Sequence, residues 1–138
     1  SFKVLVGMTI LPFKKLGHQT KYMFGLPLLT YGTHVGAGAP ALVDCSLFMP
    51  PTASSMYSLI AFRNRSVMSS NVASLYCDNN VSHLFMAFTI GAEVGASSNE
   101  MTSEYSIPFN TTSTFGYEIS TTTAPLSGLT ITATGYTE

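Results

Sequence analysis

Near the end of the chain Leu129, Ile131 and Ala133 alternate with Thr130, Thr132 and Thr134. That period of two is what a half-buried β-strand requires. The same reading predicts strands over 2–11 (broken at Gly7), 21–29, 41–49, 56–63, 72–77, 82–90, 104–109, 114–119 and 128–136. Between them lie YGTHVGAGAP, MPPTAS, CDNN, GASSN and TTTAPLSG, all rich in residues that favour turns. Short strands punctuated about every ten to fifteen residues predict an all-β fold, an antiparallel sandwich of jelly-roll or Greek-key type. No segment shows a helical stripe. SSNE (97–100) offers at most one turn, capped by Ser97 with Glu100 reaching back.

Three strands carry further expectations. In 41–49, Val43, Cys45, Leu47 and Met49 share a face opposite Asp44 and Ser46, which predicts one wet side. In 82–90 both faces are apolar, with Phe85 and Ala87 on one and Leu84, Met86, Phe88 and Ile90 on the other. A single antiparallel sandwich seldom covers both faces of a strand, so this pattern predicts burial in an oligomer. Pro108 cannot donate to a ladder and predicts an edge strand or a bulge.

Composition sharpens this picture. The 138 residues form one domain, 1–138, with 46% hydrophobic but only 9% charged residues, against about 25% charged in typical domains. Seventeen Ser and seventeen Thr supply the polarity, which suits strands and predicts a surface partly covered by a partner. A net charge of −1 argues against strong non-specific nucleic-acid binding. The charges are nonetheless segregated. Every Lys and Arg lies within residues 1–65 beside the single acid Asp44, and six acids follow with no base. Interleaved halves would balance these charges within one molecule. Complementary subunit faces, or a basic patch for an anionic ligand, are the other arrangements. No apolar run reaches the roughly 18 residues of a membrane helix, so membrane insertion is not expected. VLVGMTILPF lacks a cleavage site and reads as strand rather than signal. Opening on Ser1 predicts a fragment of a longer polypeptide or a processed chain.

Catalytic signatures are absent from the sequence. No G-x-S-x-G, S-x-x-K or paired metal-ligand spacing occurs, so no enzyme, cofactor or metal site is expected. His83 at a strand start reads as a structural residue, and the glycine-rich loop around His34 reads as turns needing positive φ rather than a phosphate cradle. Cys45 and Cys77 are either one disulfide or two thiols. Asn64, Asn80 and Asn110 head glycosylation sequons. What remains is binding. KKLGHQTKY concentrates Lys14, Lys15, His18 and Lys21 in an expected loop, and FRNR adds Arg63 and Arg65. Such cations beside Asn, Gln and Tyr suit a carboxylate-bearing sugar such as sialic acid. A merely solvated loop is the plainer reading.

EYSIPFNTTSTFGYEIS followed by GLTITATGYTE resembles the end of adenovirus-type fibre heads, or knobs. Those close with a Tyr-Ser-x-x-Phe strand, a further strand, a polar loop and a last strand finishing near a Glu. The matching residues are Tyr105, Ser106, Phe109, the strand near Phe115–Ile119, and Gly135 to Glu138, over about the last 35 residues. The Thr-Leu-Trp-Thr motif of many mammalian heads is absent, and the chain has no Trp. The resemblance therefore points to a compact, divergent head of bird or reptile type, or an analogous phage or injection-fibre tip. It implies the C-terminal piece of a longer fibre protein, a homotrimer on a shaft at the virion surface, with assembly in the host nucleus if adenoviral. The head's expected task is attachment to a host-cell receptor, either a protein or a sialylated glycan. A TNF- or C1q-like secreted trimeric ligand and a monomeric lectin or adhesin domain are the competing expectations.

Overall fold

Alternation decides which residues of each strand reach the interior. In β6 (Ser55–Asn64) Met56, Ser58, Ile60, Phe62 and Asn64 are buried, while Leu59 on the opposite face is exposed. The computed structural model describes residues 4–6, 9–35, 39–65, 70–91, 99–109, 113–120 and 127–138. The other strands are β1 (Val4–Val6), β2 (Thr9–Leu11), β3 (Phe13–Leu16), β4 (Gln19–Gly32), β5 (Ala41–Asp44) and β7 (Asn71–Tyr76). They continue with β8 (Leu84–Ile90), β9 (Asn99–Pro108), β10 (Thr114–Ile119) and β11 (Gly128–Thr137). A single 3₁₀ turn, Val81–His83, leads into β8.

The strands form a five-stranded sheet, β3-β4-β11-β6-β9, and a four-stranded sheet, β5-β10-β7-β8. Every strand pairing in them is antiparallel. The first two strands pair separately as a small hairpin. One core joins the two large sheets as a sandwich, with Ile60, Phe62, Leu129, Ile131 and Ala133 from the first and Ala73, Leu75, Phe115 and Ile119 from the second. Phe62 meets Phe88 of β8 edge-on across the interior, with ring centroids 5.7 Å apart. The strand with the clearest alternation, β11, lies between β4 and β6. Leu129, Ile131 and Ala133 are fully buried there, and the intervening threonines face outward. Hydrogen bonding on both edges holds this strand in the middle of its sheet.

The polar groups caught inside find partners, one across the two sheets and two within a sheet. The buried Asn64 donates from Nδ2 to the Gly91 carbonyl at 2.8 Å, linking the ends of β6 and β8. Asn71 Oδ1 accepts from Ser120 Oγ at 2.8 Å, and Ser58 Oγ donates to the Tyr105 carbonyl at 2.8 Å. Among the described residues, Thr20 Oγ1 is the one buried side-chain polar atom left without a partner.

Several boundaries depart from the sequence reading. The segment 41–49 is strand only to Asp44, whose Oδ1 accepts from the Ser46 backbone N–H at 2.9 Å and turns the chain. Leu47 is therefore 75% exposed while Met49 is buried, and they do not share a strand face. The basic stretch is not a loop. Phe13–Leu16 pairs with Gln19–Tyr22 around a turn at Gly17, whose φ of 61° suits glycine. Glu100 lies in β9 rather than in a helical turn, and Ser97 lies outside the described residues, as do Gly7 and Asn110. Pro108 ends an edge strand as expected. β8 is an edge strand too. Its Leu84 and Ala87 are exposed, Phe85, Met86 and Phe88 are half-buried, and only Ile90 is buried within the single chain.

Both cysteines are free thiols. The geometry explains why. They follow β5 and β7, which flank β10, so their strands stand roughly 10 Å apart, beyond the reach of a disulfide. Burial, reinforced by Asp44, pushes the Cys45 thiol up to about 12.

Candidate functional site

One row across the five-stranded sheet contains the most distinctive surface chemistry. Lys21 of β4 pairs with Gly135 of β11, Gly135 pairs with Tyr57 of β6, and Tyr57 pairs with Ser106 of β9. The glycine leaves the middle of the row bare. A β-bulge between Ala133 and Gly135 displaces the strand here, and a Cβ on Gly135 would collide with the Thr20 carbonyl oxygen. No side chain therefore separates Lys21 from Tyr57, and the Lys21 ammonium lies 3.7 Å from the Tyr57 ring centroid. At a solvent-facing site such a contact is worth about 0.5–1 kcal/mol.

Beside this pair is a hollow of about 180 Å³ lined by Lys21, Tyr57, Ser58, Glu104, Tyr105, Ser106 and Thr134. Tyr57 Oη accepts from Thr137 Oγ1 at 2.7 Å, which fixes the phenol and leaves its own hydrogen to donate. The hollow thus combines an aromatic ring, a cation, a carboxylate and several hydroxyls. Its volume is below the roughly 300–1,000 Å³ of drug-sized pockets and suits a single small polar ring.

The six residues expected to act together, five cations and His18, divide into two groups. Lys14 pairs with Lys21 on the outer face of the β3–β4 hairpin, and exposed His18 sits in its turn. Lys15 points the other way, forming a 3.3 Å ion pair with Glu138. Hydrogen bonds from Thr52 and Lys15 hold the Glu138 carboxyl below its ordinary range. Arg63 lies six residues along β6 from Tyr57, roughly 20 Å away at strand rise. There it contacts Tyr31 Oη at 3.3 Å and Glu100 Oε2 at 3.9 Å. The Arg65 backbone N–H donates to Ser127 Oγ at 2.8 Å. One ligand the size of a sugar ring cannot bridge both groups. Lys15–Glu138 and Arg63–Glu100 also pair bases from the first half with acids from the second, balancing in space the charges segregated in sequence.

Sequence reasoning missed Tyr57, Glu104, Ser106 and Thr134. The available signal was Gly135, a glycine interrupting the apolar–polar alternation of the last strand, which marks a bulge or close approach. The row that it opens depends on register.

A second hollow, about 350 Å³, is lined by Cys77, His83, Leu84 and Phe109. His83 Nδ1 lies 2.7 Å from Asp78 Oδ2, so three residue types familiar from thiol catalysis meet here. Burial followed by the Asp78 charge pushes the Cys77 thiol up, the reverse of what an attacking thiolate needs. His34 is held structurally, its Nε2 3.1 Å from the Ala39 carbonyl and its ring edge-on to Tyr117. Two sequon asparagines are also engaged. Asn64 is buried, and Asn80 Oδ1 accepts from the Ser82 backbone N–H at 2.9 Å. Among the described residues no group of His, Cys, Asp and Glu is placed to hold a metal ion. No described helix is long and apolar enough to cross a membrane. No protein-family model matches the sequence, and no curated protein matches it.

Proposed function

We propose that this chain is an attachment module, the receptor-binding head of a viral fibre. It would recognise a host-cell glycan through the hollow beside Lys21 and Tyr57. The observation that carries this reading is the row Lys21–Gly135–Tyr57–Ser106. It gives a sugar ring an aromatic surface, an ammonium and neighbouring hydroxyls, while Glu104 and Thr134 provide acceptors at the rim. Apolar C–H groups of a sugar pack on an aromatic ring, and its hydroxyls exchange hydrogen bonds with polar neighbours. Exposed Lys14, paired with Lys21, extends the cationic side for a carboxylated sugar. The resemblance of the last strands to fibre heads supplies the biological setting, a homotrimer presented at the virion surface.

The experiment is saturation-transfer NMR with oligosaccharides ending in neutral or sialylated sugars, on the parent chain and three variants. Tyr57→Ala and Lys21→Ala should each lose the signal with unchanged circular dichroism, and Arg63→Ala should retain it. Unchanged binding in both Tyr57→Ala and Lys21→Ala, or loss with Arg63→Ala alone, refutes the site. Light scattering at low concentration checks the trimer separately, and a monomeric mass would remove it.

A further inference from the structure

Four edge strands bound the two large sheets, and three carry features that discourage pairing with another chain. β3 is four residues long with two lysines, β5 is four residues long and ends on Asp44, and β9 carries Glu100 and Glu104 and ends on Pro108. β8 differs. Its seven residues, LFMAFTI, include no charge and no proline. Its one irregularity is an extra residue at Phe85, which leaves Met86–Ile90 in regular register with β7.

The direction of the unpaired backbone follows from the neighbouring ladder. Val72 gives both its N–H and its carbonyl to Ser120, on the β10 side of β7. Ala73 and Leu75, one residue out of phase, therefore face β8, opposite Phe88 and Met86. Alternation then turns the backbone groups of Ala87 and Thr89 outward, away from β7. No described hydrogen bond reaches them.

We infer that this edge pairs with the same edge of a second copy, antiparallel about a two-fold axis through Ala87, a contact separate from the proposed three-fold assembly and able to join two such assemblies. That register is self-complementary. Ala87 faces Ala87, Met86 faces Phe88 and Phe85 faces Thr89, so like faces of the two sheets run on into one another. The exposed methyl of Ala87 is small enough for the axis, and no charge is forced against its own copy. A closed isologous contact of this kind joins two four-stranded sheets into one and removes both open edges.

Three variants test it in the intact chain. Oxidised Ala87→Cys should give a covalent dimer on non-reducing electrophoresis, because directly opposed Cα atoms lie about 5.5 Å apart, within disulfide reach. Thr89→Cys should not, since its copies would be displaced by four residues along the strand, roughly 13 Å. Ala87→Lys should weaken this two-fold association about tenfold or more in sedimentation, with the thermal stability of the folded chain unchanged. Hydrogen exchange at Ala87 and Thr89 should slow as parent concentration rises. Equal cross-linking at 87 and 89, concentration-independent exchange at both amides, or undiminished association of Ala87→Lys would each overturn the inference.

Discussion

Truncating Phe62 to alanine tests how the two sheets are held together. The ring is fully buried in β6 and meets Phe88 of the opposite sheet at 5.7 Å with planes at 68°. Removing a buried Phe side chain costs about 3–5 kcal/mol in lost transfer energy plus the cavity left behind. Phe88 is half-buried on an edge strand, so Phe88→Ala should cost roughly half as much. Edge-to-face rings contribute a further 0.5–1.5 kcal/mol, approximately, beyond burial. The double variant should accordingly lose less than the sum of the singles by about that coupling. Urea unfolding followed by circular dichroism reads it. At a slope near 2 kcal/mol per molar, Phe62→Ala should lower the midpoint by about 1.5–2.5 M. Single costs that add to within about 0.3 kcal/mol would mean that the rings do not interact, refuting this account of the sheet–sheet contact.

Other consequences are as direct. Thr20→Val should raise stability by about 1 kcal/mol in the same assay, because it removes a buried hydroxyl without a partner and nearly conserves shape; a loss would show that the hydroxyl is satisfied. Gly135→Ala should cost about 1–3 kcal/mol, since the new Cβ meets the Thr20 carbonyl, and it should narrow the Lys21–Tyr57 hollow. In the folded chain Cys45, buried and raised to about 12, should stay unlabelled by a maleimide at pH 8 while half-buried Cys77 reacts slowly; mass spectrometry of the labelled peptides checks the order. Glu138 titrates below its ordinary 4.5 in the folded state. Its contribution is present at pH values above 4.5 and is lost as pH falls through the folded value. NMR titration should show Thr52→Ala moving that value back toward 4.5.

The class of fold and most of the strands are legible in the order of apolar and polar residues. Alternation of Leu129, Ile131 and Ala133 with threonines specifies a strand and the face it buries, since the pleat fixes that local relation. Pro108 marked an edge for an equally local reason, its missing N–H. The hairpin at Phe13–Leu16 escaped notice because its short strand has a half-buried Phe13 and then three exposed residues, too few apolar positions to show a period. Asp44 ends β5 early through a hydrogen bond to its own turn, although Cys45, Leu47 and Met49 beyond it keep the two-residue period of a strand.

The candidate site depends on pairing between strands distant in sequence. Lys21, Tyr57, Ser106 and Gly135 are brought into one row by the order β4-β11-β6-β9 and by the bulge that sets its register. Arg63 lies with Lys21 in the base-bearing first half of the sequence and shares β6 with Tyr57, yet strand rise carries it to the far end of the sheet. Two thiols of ordinary sequence spacing stay apart because β10 lies between their strands. Side-chain chemistry and its two-residue period are properties of the local chain. Which side chains meet depends on pairing between distant strands, and a shift of one residue in that register would place different residues around the hollow.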